Sequence, residues 1–164
     1  MPRTYEPIAT NTLGSAAASV TFSSIPSTYT DLVLVTVHTN ATGSNNTLTL
    51  QFNGDTASNY SRTAMYGDGT TAGSFAGSNE SGIFTGFAGS NSDITQTNIQ
   101  IQNYSNATTF KTVLTRSTVP AGQTRATVSL WRKTPESINS ILIYTASGTF
   151  ATGSTFTLYG IKAF

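Results

Sequence analysis

Hydrolysis of a glycoside calls for two carboxylates a few ångströms apart across a sugar. Nucleophilic catalysis calls for a Ser or Cys beside a base, and a zinc site for several His or Cys ligands. The chain offers little for any of these. Its acidic residues are Glu6, Asp31, Asp55, Asp68, Glu80, Asp93 and Glu136, its single histidine is His38, and it has no cysteine. Folding can bring Asp55 and Asp68 together, yet both sit in turn sequences, Asn53-Gly54-Asp55 and Gly67-Asp68-Gly69, where Asp ordinarily hydrogen-bonds nearby backbone. The same turns offer oxygens to calcium, but such a site takes about six to eight ligands and no recognised loop spacing is present. His38 stays available as the base of a triad assembled in space. No G-x-S-x-G elbow accompanies it, and a partly buried, hydrogen-bonded strand histidine is the simpler account. The residues therefore assign no catalytic group, no metal and no cofactor, and the chain is expected not to be an enzyme.

Trp131 is the sharper candidate. On a strand it shares a face with Thr127, Ser129 and Lys133, opposite Val128 and Leu130, which points it outward as a protein-protein anchor or a sugar-stacking platform. A register displaced by one residue makes it core instead.

The elements that must hold these residues are strands. In the run 31–38, DLVLVTVH, Val33, Val35 and Val37 share one face while Leu32, Leu34, Thr36 and His38 share the other. Period-two alternation returns at 19–24, 47–53, 62–66, 94–104, 109–116, 126–133, 138–145 and 155–162. No stretch of useful length shows helical periodicity with caps. Eight to ten strands at this spacing predict an all-β fold, an antiparallel β-sandwich of jelly-roll-like form, in a single domain over 1–164. Pro2 and Pro7 limit residues 1–12 to an extended N-terminal arm or an edge strand. Residues 67–93 form a Gly-rich loop in which FAGSN occurs twice, at 75–79 and 87–91, around Ile83 and Phe84, and two turns flanking one short strand is the simple reading.

A two-layer sandwich covers one face of each strand. Leu32 and Leu34, and likewise Leu142 and Tyr144 beside Ile141 and Ile143, leave a second apolar face that asks for another cover. With Tyr5 and Ile8 of the arm, Phe75, Phe84 and Phe87 of the loop, and Trp131, they are the candidate interface residues.

Composition narrows the partners. Charged residues make up 9% of the chain, far below the roughly 25% of an average soluble protein. The basic residues are scattered, with only Arg132-Lys133 adjacent, so nucleic acid is not an expected partner. No run approaches the roughly 20 apolar residues of a membrane helix, and the N-terminus lacks the apolar stretch of a secretory signal.

The opening TYEPIATNTLGSAAASVTFSSIPSTYTDLVLV and the closing FTLYGIKAF resemble small β-sandwich virion proteins of tailed bacteriophages, particularly those of phages of aquatic bacteria. The likeness covers the first 35 or so residues and the last strand. It implies a structural component of the particle surface, made in the cytoplasm of the host bacterium, and offers no active-site residue. The expectation is a capsid decoration or cement protein that binds the major capsid protein. Assembly as a homo-oligomer by closed symmetry, with a trimer favoured, suits the low charge and the doubled apolar faces. The alternative is a receptor-binding module of a tail fibre that takes a host glycan on Trp131, Tyr60, Tyr66 or Phe75.

Overall fold

The computed structural model describes residues 4–41, 46–89, 93–119 and 122–162. Twelve strands and no helix run through them. In chain order they are β1 (Tyr5–Thr12), β2 (Ser19–Phe22), β3 (Asp31–His38), β4 (Asn46–Phe52), β5 (Tyr60–Gly67), β6 (Ala72–Glu80), β7 (Ile83–Ala88), β8 (Thr95–Ile101), β9 (Lys111–Val119), β10 (Gln123–Trp131), β11 (Ile141–Thr145) and β12 (Thr155–Ile161). They build an antiparallel β-sandwich. One sheet has eight strands in the order β1-β12-β3-β8-β9-β10-β5-β6, and the other has four in the order β2-β11-β4-β7.

The pairings have a simple logic once the two hairpins β5/β6 and β9/β10 are set aside. The first remaining strand then pairs with the last, β1 with β12, and the second with the second-last, β2 with β11. β3 pairs with β8, and β4 with β7. These eight strands are the frame. The hairpins extend only the larger sheet, adding β9, β10, β5 and β6 beyond β8.

Two sequence expectations are refined here. Of the two alternatives for the N-terminal stretch, residues 5–12 take the edge strand and not the free arm: β1 pairs with β12 from Tyr5 opposite Ile161 to Thr12 opposite Thr155, with a bulge between Pro7 and Ala9. The Gly-rich stretch is mostly ordered as β6 and β7, which accounts for strands beyond the eight to ten expected. Met1 to Arg3 of the arm, and residues 90–92 of the stretch, lie outside the described residues.

The core answers the question of the doubled faces. Leu32 and Leu34 are fully buried, as are Leu48, Leu50, Phe52, Ile99, Ile101, Ile141, Ile143, Phe156 and Leu158. Leu32 and Leu34 thus face the smaller sheet and need no partner, contrary to the expectation. It is Val33, Val35 and Val37 that face away from it, with Val37 39% exposed. Period two divides the residues of a strand into two sets but does not say which set faces the partner layer.

Across the inner face of the larger sheet, one row of registered neighbours runs Leu158, Leu34, Ile99, Thr115, Thr127, Ala64, Phe75. Bulk ends at β8, and small polar side chains begin at β9. Cα atoms of β7 come within 8 Å of those of β9, closer than the roughly 10 Å of ordinary face-to-face sheets. A Cβ added at Gly86 on β7 would lie 2.7 Å from the Ser117 hydroxyl. The residues that meet there, Gly86 and Ser117, are accordingly small.

Candidate functional site at the edge of the smaller sheet

The residues singled out for acid-base chemistry serve structural roles. Asp55 is buried and accepts hydrogen bonds from the Trp131 indole N–H at 2.7 Å, from the Asn59 amide at 2.9 Å and from the Ala57 backbone N–H at 3.0 Å. Burial by itself would raise its pKa. The bonds from Trp131, Asn59 and Ala57, with the Lys133 charge, outweigh that and hold it below the ordinary carboxylate value. Asp68 accepts from the Thr70 and Thr71 backbone N–H groups at 2.9 and 2.6 Å, the turn role expected of it. Asp55 lies at the start of β5, where its carbonyl accepts from the Tyr60 hydroxyl, while Asp68 follows its end. About 23 Å of strand separates the two ends, so these carboxylates do not form a pair.

His38 is buried between Phe150 and Phe156, with ring centroids at 5.5 and 6.1 Å. Its Nδ1 is 3.1 Å from the Thr36 hydroxyl. Burial pushes its pKa down to about 4, so it is a neutral core histidine at pH 7. Among the described residues no three His, Asp or Glu side chains gather as metal ligands.

Trp131 does not point outward. It is 2% exposed and packs against Phe52 and Tyr60, at 5.4 and 6.3 Å between centroids. Val128, on the opposite face, is 51% exposed. The inward face of β10 carries Arg125, Thr127, Ser129 and Trp131, so weighing Val128 and Leu130 against Thr127 and Ser129 picks the wrong side. The pinch against β7, which only contacts between sheets reveal, makes small polar residues the inner ones.

The remaining interface candidates divide. Tyr5 is 53% exposed on the edge strand, while Ile8 packs against the core. Leu142 and Tyr144 are half-buried on the outer face of the smaller sheet. There Tyr144, Thr49 and Phe84 form one registered row across β11, β4 and β7, and Thr47 and Phe87 begin the next. β7 is the edge of that sheet, and the β5/β6 end of the larger sheet curls past it. Phe75 of β6 thereby meets Phe84 at 6.1 Å, and Phe84 meets Phe87 at 5.5 Å, both edge to face. Four of the residues read as interface candidates, Phe75, Phe84, Phe87 and Tyr144, so line one open cleft of about 730 Å³.

Two arginines that sequence reasoning passed over stand in this cleft. Arg62 pairs with Glu80 at 2.9 Å, and its guanidinium carbon lies 4.8 Å from the centre of the Phe84 ring. Arg125 is 9% exposed, and its guanidinium carbon lies 4.3, 4.9, 5.1 and 5.7 Å from the centres of Phe87, Phe84, Phe75 and Tyr66. Its Nε and Nη1 are buried and have no hydrogen-bond partner among the described residues. Burial, joined by the nearby charge of Arg62, lowers its pKa, yet a guanidinium stays charged in any ordinary protein setting. Ring faces of this kind attract cations, offsetting part of the desolvation cost. The sequence did carry a signal: the two FAGSN words place Phe75 and Phe87, one on each sheet, against the same guanidinium.

Comparison with family models, curated proteins and solved structures yields no match.

Proposed function

We propose that this chain is a jelly roll widened by two hairpins, and that it serves as a non-enzymatic structural protein of a bacteriophage virion, decorating the capsid. The pairing of first strand with last through β4 with β7 supports the jelly-roll reading, since that nesting arises when a long hairpin of eight strands is rolled into two sheets. The observation that carries the assembly reading is the outer face of the larger sheet. Two of its rows run Tyr159, Val33, Gln100, Leu114, Val128, Thr63, Ala76 and Thr157, Val35, Asn98, Arg116, Ala126, Met65, Ser74. Arg116 is the only charge in them, and Met65 and Val128 are 65% and 51% exposed. Eight strands give this face a width of roughly 34 Å. A broad, charge-poor face with exposed apolar side chains suits burial against the major capsid protein or a neighbouring copy, with a homotrimer as the favoured closed assembly.

Particles imaged by electron cryomicroscopy test this. Density for the chain is expected on the head, and density confined to the tail would overturn the decoration role. Mass measurement of the purified protein is expected to give an oligomer.

A second reading, a receptor-binding module of a tail that takes a host glycan, is favoured by the cleft at β7, where aromatic rings and hydroxyls share one open surface. A glycan array on the purified protein tests it, with saturable binding the expected outcome.

A further inference from the structure

Among the described residues Arg125 has no ion-pair partner. Arg62, its neighbour in the cleft, has Glu80. Lys111, a more deeply buried cation, donates its ammonium to the backbone carbonyls of Asn106 and Thr109 at 2.5 and 2.8 Å. The Arg125 head group lies among aromatic rings, and two of its nitrogens are buried donors with no acceptor among the described residues. Leaving charged donors unsatisfied is costly. The head group sits on the side of the cleft, because three of the four rings around it, Phe75, Phe84 and Phe87, line that cleft.

The rest of the surface narrows the class of ligand. Arg62 is already paired with Glu80, so the cleft presents one uncompensated positive charge rather than a basic cluster suited to phosphate. Around it lie the half-buried Phe87 and Tyr144 rings and the hydroxyls of Thr47, Thr49 and Ser58. The volume, about 730 Å³, falls within the roughly 300–1,000 Å³ of small-molecule sites. A guanidinium N–H forms a charge-assisted hydrogen bond to a carboxylate, C–H faces of a sugar ring stack on aromatics, and sugar hydroxyls pair with Thr and Ser.

We propose that the cleft at the β7 edge binds a carboxylated sugar, a hexuronate residue of an acidic polysaccharide, with Arg125 as the carboxylate-binding residue and Phe87 and Tyr144 as the sugar-stacking surface. This deepens the glycan-binding reading and rests on it, and it is independent of whether the chain decorates the head.

The test is a titration of the full-length protein with tri-galacturonate, with neutral maltotriose and with a triglutamate peptide. Calorimetry gives the affinity, and the Arg125 Nε–H signal in nitrogen-15 spectra reports the site. Saturable binding of tri-galacturonate alone, with a shift of that signal, is the expected result. Arg125→Gln is expected to weaken it about 30-fold. Because that variant alters a buried group, Thr47→Trp, which narrows the cleft and replaces none of the rings around Arg125, is expected to abolish binding with the unfolding midpoint unchanged. Equal binding of maltotriose would overturn the carboxylate assignment while leaving the glycan reading standing. Preference for the peptide would make the occupant a protein carboxylate and overturn the sugar. Absence of binding by all three, or tri-galacturonate binding that Thr47→Trp leaves intact, overturns the site itself.

Discussion

The frame and the hairpin extension of the larger sheet share one continuous set of hydrogen-bonded strands, yet they fill their interiors in opposite ways. In the frame, Leu34, Ile99, Leu158 and Phe156 meet Leu48, Leu50, Ile141 and Ile143 of the smaller sheet, and side-chain bulk sets the spacing. In the extension, β7 approaches β9 until Gly86 faces Ser117, and backbone sets it. The hydroxyls of Thr115, Ser117, Thr127 and Ser129 are buried there without partners among the described residues, as is that of Thr97 on the adjoining β8. Burial of apolar area stabilises a fold, whereas buried unsatisfied hydroxyls do not. The difference teaches that most apolar burial lies in the frame and where Tyr60, Val113 and Trp131 join it, while the part of the extension under β7 trades packing for a curved edge that brings Arg125, Arg62 and Phe75 against β7.

That contrast can be broken from either side. Leu34→Ala, in the frame, is expected to cost about 3 kcal/mol through lost burial and a residual cavity, read from urea unfolding; a loss below about 1 kcal/mol would show the frame to be less tightly packed than its burial indicates. The frame should also carry most of the acid sensitivity between pH 6.5 and 4. His38 has a folded pKa of about 4, below its ordinary 6.5, so the unfolded chain takes up the proton first. Its contribution is complete above about pH 6.5 and is lost as pH falls toward 4, amounting to about 3 kcal/mol. In His38→Leu the slope of stability against pH in this window should flatten.

At the junction of the two regions, Trp131→Phe keeps the ring stack on Tyr60 but removes the donor to Asp55. A loss of about 1–2 kcal/mol is expected, and the double variant with Asp55→Asn, measured in a mutant cycle, should show that the two act together. Smallest is the extension itself. Thr115→Val keeps the shape and removes a hydroxyl that has no partner, so its effect is expected to lie within about 0.5 kcal/mol of zero or to stabilise slightly. A large loss would mean that the hydroxyl belt is held by bonds that sharpen, rather than weaken, the interior.

Much of the fold was legible in the sequence. DLVLVTVH is β3 to the residue, and the alternation at 155–162 marks β12, because strand geometry shows directly as period two. β7 shows in the sequence only as the short apolar centre Ile83-Phe84, and β6 does not show, because Gly, Ser and Ala dominate it and its strand character comes from pairing with β5 rather than from propensity. The aromatic side of the site was legible as well, through Phe75, Phe84, Phe87 and Tyr144. Its charged centre was not, since Arg62 and Arg125 lie more than 60 residues apart and look like scattered surface charges.

What the sequence determined by itself is which residues of each strand travel together: Thr127, Ser129 and Trp131 on one side, Val128 and Leu130 on the other. Only the tertiary structure decided which set lies inside. The reason is physical: alternation is symmetric about the sheet plane, and the symmetry is broken by the neighbouring layer, whose distance from β10 depends on the whole path of β7. The same close approach that turned Trp131 inward closed aromatic rings around Arg125.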